Sequence, residues 1–318
     1  PLLSKDRNER HPLIIGGGPI AYNPEPIADF FDAFGLGDGE ELIVNVIDLF
    51  RTSTRRHVDT SARLLNLSRI PGTYIPSFFE PTYNPDGTIK QIKPLLAGYT
   101  GVQKRIVNDL DKQPYPIVPI IPNIRLVHDR IDVEIQRGCT RGCRFCQAGM
   151  IERPVRQRTP QKILDIAKKS IDNSGIEELS LLSLSAGDYP QIAPLLSRLN
   201  EMCHEHRVSL SVPATRTETL TPEMIAEIKK VRMTGFTIAP EAGSERLRRV
   251  INKGNKVDDL FTACKNACSA GYRLIKFYYM CGLPFETDED LIGIVHETQE
   301  ALNLGRQFRR DLQINLAL

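Results

Sequence analysis

Three cysteines fall within eight residues in the phrase "RGCTRGCRFCQAG" at 137–149, and none precedes Cys139. A cysteine thiolate is a soft ligand, so Cys139, Cys143 and Cys146 on one short loop could hold zinc or an iron–sulfur cluster. A closed zinc site wants four protein ligands, usually in two pairs. Here the nearest histidine, His128, lies ahead of the loop, and the next cysteine is Cys203. Three thiolates on a four-iron cube leave one iron open to a substrate or cofactor. Gly138, Gly142 and Gly149 let the backbone wrap a bulky core, and Arg137, Arg141 and Arg144 bring positive charge toward anionic sulfur. Structural zinc and three unrelated thiols are the competing readings; spacing and placement count against both.

The elements that must position this loop are readable from periodicity. "RIDVEIQ" alternates apolar Ile131, Val133 and Ile135 with polar residues, which predicts a strand ending just before the loop. "TPQKILDIAKKSIDNSG" then predicts a helix with Thr159 as N-cap, Pro160 in its first turn and Gly175 past its end. The alternation continues with strands "EELSLLSLS", "RVSLSVP", "GFTIAP", "YRLIKFYYM" and "DLQINLAL", separated by helices. In the last helix, Thr287 and Asp290 have capping-box spacing. Six strands alternating with helices imply a parallel sheet with right-handed crossovers. Alternation leaves a doubly wound sheet and a barrel both open. Glycines and polar residues at nearly every strand's C-terminal end favour the barrel, where they would converge on one face.

Ahead of this region, "HPLIIGGGPIAYNPEPIADFFDAFG" reads as a short strand over Leu13 to Ile15, a glycine turn and a helix from Pro26 to Phe34 carrying Ile27, Phe30, Phe31 and Phe34. "GLGDGEELIVNVIDLF" is an apolar stretch whose period does not choose between helix and strand. Nine of the 22 prolines fall between 71 and 122, which predicts linker and irregular structure, with a turn at Asp86 able to close a hairpin. The expected divisions are therefore 1–70, 71–124 and 125–318.

Composition narrows the class. Apolar residues make up 41% and charged residues 25%, as in a globular protein able to bury a core. No apolar run approaches the roughly 18 residues of a membrane span. The start "PLLSKDRNER" carries neither a signal pattern nor Met, which implies a trimmed fragment. Seven cysteines, an odd number with three crowded together, imply reduced thiols and a cytoplasmic protein. The net charge of +2 does not announce a nucleic-acid partner. Eight arginines against four acidic residues from 125 to 158 could meet phosphates, but an anionic cluster and solvated surface account for them equally.

Cys-x3-Cys-x-Phe-Cys after the first strand of a βα series resembles the radical S-adenosylmethionine superfamily. The resemblance implies a partial (β/α)6 TIM-like barrel and a [4Fe-4S] cluster on Cys139, Cys143 and Cys146, with S-adenosylmethionine on the open iron. The reduced cluster would cleave that cofactor to a 5′-deoxyadenosyl radical, drawing electrons from a donor such as flavodoxin or ferredoxin. Phe145 takes the aromatic position near the adenine. "LSLSAGDYP" resembles the segment that meets the cofactor's amino group, carried by Gly187 and Asp188; the family's usual form is Gly-Gly-Glu, so Asp188 departs from it while keeping a carboxylate. Ser211 and Arg216 in "SLSVPATR" suit a ribose hydroxyl and a carboxylate. Glu241 in "IAPEAGSERL" resembles the Glu-x-Gly element, and Gly282 and Pro284 in "MCGLPFET" resemble the Gly-Leu-Pro element behind the adenine. The likeness covers roughly 125 to 318 and implies a barrel cut off at Leu318.

Residues 1–70 resemble the closing β-α-β part of a cobalamin-binding Rossmann-like domain. The whole chain is most similar to the bacterial group of the superfamily with such a fused domain. In relatives the glycine step, here Gly16, Gly17 and Gly18, lets the backbone approach the cobalamin nucleotide tail. The family's Asp-x-His-x-x-Gly motif is absent; "DRNERHP" has the wrong spacing. The expected activity is a radical reaction on an unassigned substrate, with cobalamin-linked methyl transfer by the full-length protein as the leading subtype. The alternatives are a methylthiotransferase-like modification of RNA or protein, disfavoured because no cysteine precedes Cys139, and a non-catalytic iron–sulfur or zinc protein. Cys203, Cys264 and Cys268 lie on apolar helix faces and are expected in the core. Cys281 ends the fifth strand beside the proposed site, where a buried core position is favoured over an active-site thiol.

Overall fold

Parallel pairing of a two-residue strand, β1 (Ile15–Gly16), with β2 (Ala33–Gly35) begins the fold. The computed structural model describes every residue except 56–57, 125, 214–215 and 231–235. The chain divides into two units, Pro1–Asn108 and Asp109–Leu318.

In the first unit, α1 (Gly39–Arg55) and α2 (Thr60–Leu67) follow β2, and β3 (Thr73–Tyr74) then pairs antiparallel with it. The apolar stretch of undecided period is thus the helix α1, which buries Leu42 and Val46. Asp59 caps α2, accepting from the Ala62 N–H at 2.7 Å. The helix expected from Pro26 to Phe34 does not form. A 3-10 turn over Glu25–Phe30 ends there, and Phe34 is a fully buried residue of β2. The Asp32 and Ala33 N–H groups both donate to the Ile14 carbonyl, pulling the chain into the sheet. The turn at Asp86 closes a hairpin of β4 (Phe79–Tyr83) and β5 (Ile89–Pro94), with Asp86 Oδ1 accepting from the Thr88 N–H at 2.9 Å. The unit boundary at 108/109 divides the proline-rich stretch.

The second unit is the alternating series. It runs β6 (Ile131–Glu134), β7 (Gln136–Arg137), α3 (Ala148–Ile151), β8 (Arg156–Gln157), α4 (Pro160–Ser174), β9 (Glu178–Leu182), α5 (Ile192–His206), β10 (Ser209–Ser211) and α6 (Pro222–Lys230). It continues with β11 (Phe236–Glu241), α7 (Glu245–Val250), α8 (Val257–Ser269), β12 (Leu274–Tyr279), α9 (Asp288–Phe308) and β13 (Gln313–Ala317). Two parallel three-stranded sheets, ordered β10-β9-β6 and β11-β12-β13, hold the six principal strands. Their apolar residues share one core with the helices, including Val133, Leu181, Leu196, Ile238, Phe277 and Ala301. Thr159 caps α4 as expected, accepting from the Lys162 N–H at 3.3 Å, and Gly175 ends it with φ at 69°. Among the described residues no helix is long and apolar enough to cross a membrane.

The capping box on α9 reaches beyond its own helix. Asp290, 3% exposed, accepts from the Thr287 N–H at 2.9 Å and also from Ser244 Oγ and the Arg246 guanidinium, which lie at the start of α7. Burial alone would raise its pKa, but these donors outweigh burial and bring it down to about 2. A carboxyl depressed on folding contributes stability that is present above its unfolded pKa of about 3.9 and is lost as the pH falls toward 2. Asp290→Asn should therefore destabilise the protein by about 1.5–3 kcal/mol at pH 7. In urea unfolding followed by circular dichroism, that deficit should shrink as the pH drops from about 4 to about 2; a deficit constant across that window would show that the charge is not what stabilises.

Candidate active site

The cysteine loop is closed at its neck and tied down at its tip. Antiparallel pairing of β7 with β8 brings its two ends together. Gly138 has φ of +90°, and a Cβ there would lie 2.5 Å from the Glu152 carbonyl oxygen and 2.7 Å from that of Pro154, so only glycine fits. At the tip, Asn252 Nδ2 donates to the Gly142 carbonyl at 2.8 Å and the Arg144 N–H donates to the Ile251 carbonyl at 2.9 Å. The Arg144 guanidinium donates to the Val250 carbonyl as well, so the loop is anchored on the C-terminal end of α7.

Each of the three sulfurs then receives an N–H. The Arg141 N–H points at Cys139 Sγ (3.5 Å), Arg216 Nη1 at Cys143 Sγ (3.5 Å) and the Gly149 N–H at Cys146 Sγ (3.3 Å). Cys143 is buried, and Cys139 and Cys146 are partly exposed. Among the described residues no three His, Cys, Asp or Glu side chains form a single-ion site. The donor set, three soft sulfurs each with an N–H to share its negative charge, fits a [4Fe-4S] cluster with one iron left without a protein ligand.

A run of alternating charge joins this loop to the ends of three more strands. Beyond β9, Asp188 is held by Arg141 through Nε at 2.8 Å and through a second guanidinium nitrogen, and accepts from Ser185 Oγ at 2.7 Å. Burial opposes the Asp188 carboxylate, but the hydrogen bonds from Arg141 and Ser185 outweigh it and hold its pKa below the ordinary value. The hydrogen bond to Asp188 in turn raises that of Arg141. Arg141 Nη1 also lies 3.6 Å from Glu218 Oε1, which accepts from Arg216 Nε at 2.6 Å. Arg216 donates onward to the Lys253 carbonyl, and Lys253 Nζ pairs with Glu241 Oε1 at 3.0 Å.

Glu241, the last residue of β11, has φ of +71°, an uncommon conformation for a side-chain-bearing residue. Its neighbours hold it there. The Met280 N–H donates to its carbonyl at 2.8 Å, and Arg248 Nη1 donates to the Ala242 carbonyl at 2.7 Å. Leu283, between Gly282 and Pro284, packs against the cluster of Ala242, Leu247 and Ile251 and so keeps the Gly-Leu-Pro turn beside the end of β11. Gly282 has φ of +82°, and its N–H donates to Glu286 Oε1 at 2.9 Å.

The structure thus gathers Cys139, Cys143, Asp188, Arg216 and Glu241 into one bonded set, with Cys146 on the same loop. Gly187 packs its Cα against Thr219, where a Cβ would lie 2.6 Å from the Thr219 Cβ. Phe145 (41% exposed) and Pro284 stand at the surface, and half-buried Ser211 ends β10; none of the three is bonded to that set. Cys281 is exposed, contrary to the expectation of a core position, because β12 ends at Tyr279 and the chain has already turned outward. Cys203, Cys264 and Cys268 are core residues as expected, and burial pushes the Cys203 thiol up to about 11. Sequence reasoning missed Glu218, Asn252 and Lys253; Glu218 follows Arg216 by two residues, whereas "INKGN" reads as an ordinary polar turn. All seven described arginines from 130 to 158 are bonded within the protein.

Likeness to known proteins follows the same division. A model of the Radical SAM superfamily matches residues 133–298, more than half of the chain, and one for the N-terminal region of radical SAM proteins matches residues 1–76. An uncharacterized protein of Methanocaldococcus jannaschii is 29% identical over 98% of this chain and 60% of its own length. A tRNA-2-methylthio-N(6)-dimethylallyladenosine synthase of Desulforamulus reducens is 27% identical over 56% of this chain and 39% of its own length. The chain therefore spans less than two thirds of either relative. Among solved structures, the radical S-adenosylmethionine methyltransferase TsrM of Kitasatospora setae superposes with a TM-score of 0.62 at 16% identity, covering 91% of this chain and 53% of that one. The cobalamin-dependent S-adenosylmethionine radical enzyme OxsB does so at 0.59 and 14% identity, covering 96% and 40%. At such identities the likeness speaks to fold, a partial TIM-like barrel with a fused α/β unit. Family match, cysteine loop and barrel agree: the chain belongs to the radical S-adenosylmethionine superfamily.

Proposed function

We propose that this chain is the core of a radical S-adenosylmethionine enzyme. The observation that carries the reading is the cysteine loop itself, three sulfurs each faced by an N–H and joined through Arg141 and Arg216 to the ends of successive strands. Cys139, Cys143 and Cys146 would hold the cluster. A reduced [4Fe-4S] cluster with S-adenosylmethionine bound would supply the electron that splits the sulfonium into methionine and a 5′-deoxyadenosyl radical. The protein's own part is to bind and orient. Asp188 and Glu241 offer carboxylate oxygens to an ammonium group, each keeping acceptor capacity beyond its present partners. Ser211 suits a ribose hydroxyl, and Phe145 with Gly282 and Pro284 suits the faces of an adenine. Arg216 sets charge beside Cys143. A small flavodoxin- or ferredoxin-like donor would supply the electron, and seven free cysteines suit the reducing cytoplasm.

A narrower reading, cobalamin-linked methyl transfer, draws on the first unit. A cavity of about 260 Å³ there is lined by Gly16, Gly17, Gly18, Gly35, Leu42 and Val46 among others. The nearest atom to a Cβ on Gly17 is the Gly35 carbonyl oxygen, 3.9 Å away, so the fold itself does not require glycine at 17. No α-helix begins after the glycines as the sequence had implied; the helix flanking the cavity is α1. An apolar, glycine-walled cavity suits the flat nucleotide base of a cobalamin tail.

Two experiments test these readings. After anaerobic reconstitution with iron and sulfide, dithionite and S-adenosylmethionine should give 5′-deoxyadenosine. Cys139→Ala, Cys143→Ala and Cys146→Ala should each abolish the brown chromophore, whereas Glu241→Ala should keep its iron and lose about ten- to a hundredfold in S-adenosylmethionine affinity. Stoichiometric zinc without iron, or a cysteine variant with a full cluster, would refute the ligand assignment. For the narrower reading, the full-length protein should bind hydroxocobalamin and Gly17→Leu should block it with the thermal midpoint little changed; binding unaffected by Gly17→Leu would separate that cavity from cobalamin.

A further inference from the structure

Along the strands of the second unit, buried apolar side chains alternate with residues of the opposite face. Val133, Leu181, Ile275 and Phe277 are buried in the core shared with the helices, so the residues between them point the other way, into the barrel. In-register pairing lays those residues in rows. Asp132, Ser180 and Ser211 are paired across β6, β9 and β10, and Thr237, Lys276 and Asn315 across β11, β12 and β13. A TIM barrel interior is ordinarily filled by branched apolar side chains. Here both rows are hydroxyls, an amide and charges.

Lys276 is the one cation in those rows. Its Nζ lies 4.8 Å from the centre of the Tyr278 ring, and among the described residues no carboxylate pairs with it. Asp132, the carboxylate of the other row, is already paired with Arg130 at 3.0 Å. Two residues further along each strand, Leu182 and Tyr278 leave 52% and 39% of their surface uncovered. The lumen therefore has a polar floor that carries the Lys276 ammonium, about 7 Å, at the strand rise of roughly 3.3 Å per residue, below a level that holds Leu182, Tyr278 and Ala317 and, beside Leu182, the Glu134 carboxylate, which is paired with Arg137 and Arg158. That upper level is nearer the strand ends that carry Cys139 and Glu241.

We infer that the lumen binds a substrate with an anionic group, a carboxylate or a phosphate, held by Lys276, and an apolar or aromatic segment lying against Leu182 and Tyr278. An anion fixed on the floor leaves the apolar part of the molecule toward the mouth, on the side of the cysteine loop. The inference rests on the reading of the chain as a radical enzyme and names the class of molecule that its barrel accepts.

Titrating benzoate, phenyl phosphate and neutral phenol into the reconstituted protein, followed by ligand-observed NMR, tests it. At least one anion should bind, and phenol should bind at least tenfold more weakly; the tighter of the two anions tells carboxylate from phosphate. Lys276→Met should lose about ten- to a hundredfold in anion affinity, and Lys276→Arg should retain most of it. Should the Met variant fail to fold, judged by iron content and thermal midpoint, Lys276→Gln serves in its place. No binding of either anion, equal binding of phenol, or anion affinity unchanged by loss of the ammonium would overturn the inference. The titration requires no turnover, so its outcome stands apart from that of the deoxyadenosine assay.

Discussion

Arg216 donates at once to the Cys143 sulfur, the Glu218 carboxylate and the Lys253 carbonyl, and the strand ends are arranged around that guanidinium. Its planar fork can serve three acceptors in fixed directions, which a lysine could not do. Glu218 couples it to Arg141 and hence to Asp188; Lys253 couples it to Glu241. Four strand ends thereby share one electrostatic assembly. A sulfur-rich loop partly out of water needs such compensation, because buried negative charge without donors is costly.

The second support is mechanical. Gly243, two residues past Glu241, meets Gly293 of α9 so closely that a Cβ on either would run into the other chain segment's backbone. The Arg248 guanidinium forms a buried bidentate pair with Glu297 of α9 (2.7 and 2.9 Å) while also donating to the Ala242 carbonyl. Asp290 ties the same turn to the start of α9 through Ser244 and Arg246. Together these contacts fix the backbone on either side of Glu241 and allow its left-handed φ to persist. They also steady the end of α7, on which the tip of the cysteine loop rests.

Much of this was legible in the sequence because the barrel is built from locally consistent signals. Thr159, Gly175 and the Thr287–Asp290 pair mark helix ends by side-chain chemistry, and the alternation in "RIDVEIQ" marks a half-buried strand. The cysteine loop was visible because thiol ligands need a fixed local spacing. Where tertiary contacts decide, the pattern misled or was silent. Phe34 has helical spacing from Phe30 and Phe31, yet the Ile14 carbonyl draws Asp32 and Ala33 into a sheet. Cys281 follows an apolar strand but lies past its last paired residue. Lys253 and Asn252 gain their roles from partners about 10 to 110 residues away, and no local pattern encodes such a meeting.

The central claim is that the three-cysteine loop leaves a cluster iron open where S-adenosylmethionine can bind. Electron paramagnetic resonance of the reduced, reconstituted protein tests this most directly, recorded with and without S-adenosylmethionine. The account predicts a [4Fe-4S]⁺ signal whose g-values shift when the cofactor is added, and a shift that weakens in Glu241→Ala. A signal identical with and without saturating cofactor would contradict it, since the cluster would then have no open iron at the site that these residues surround.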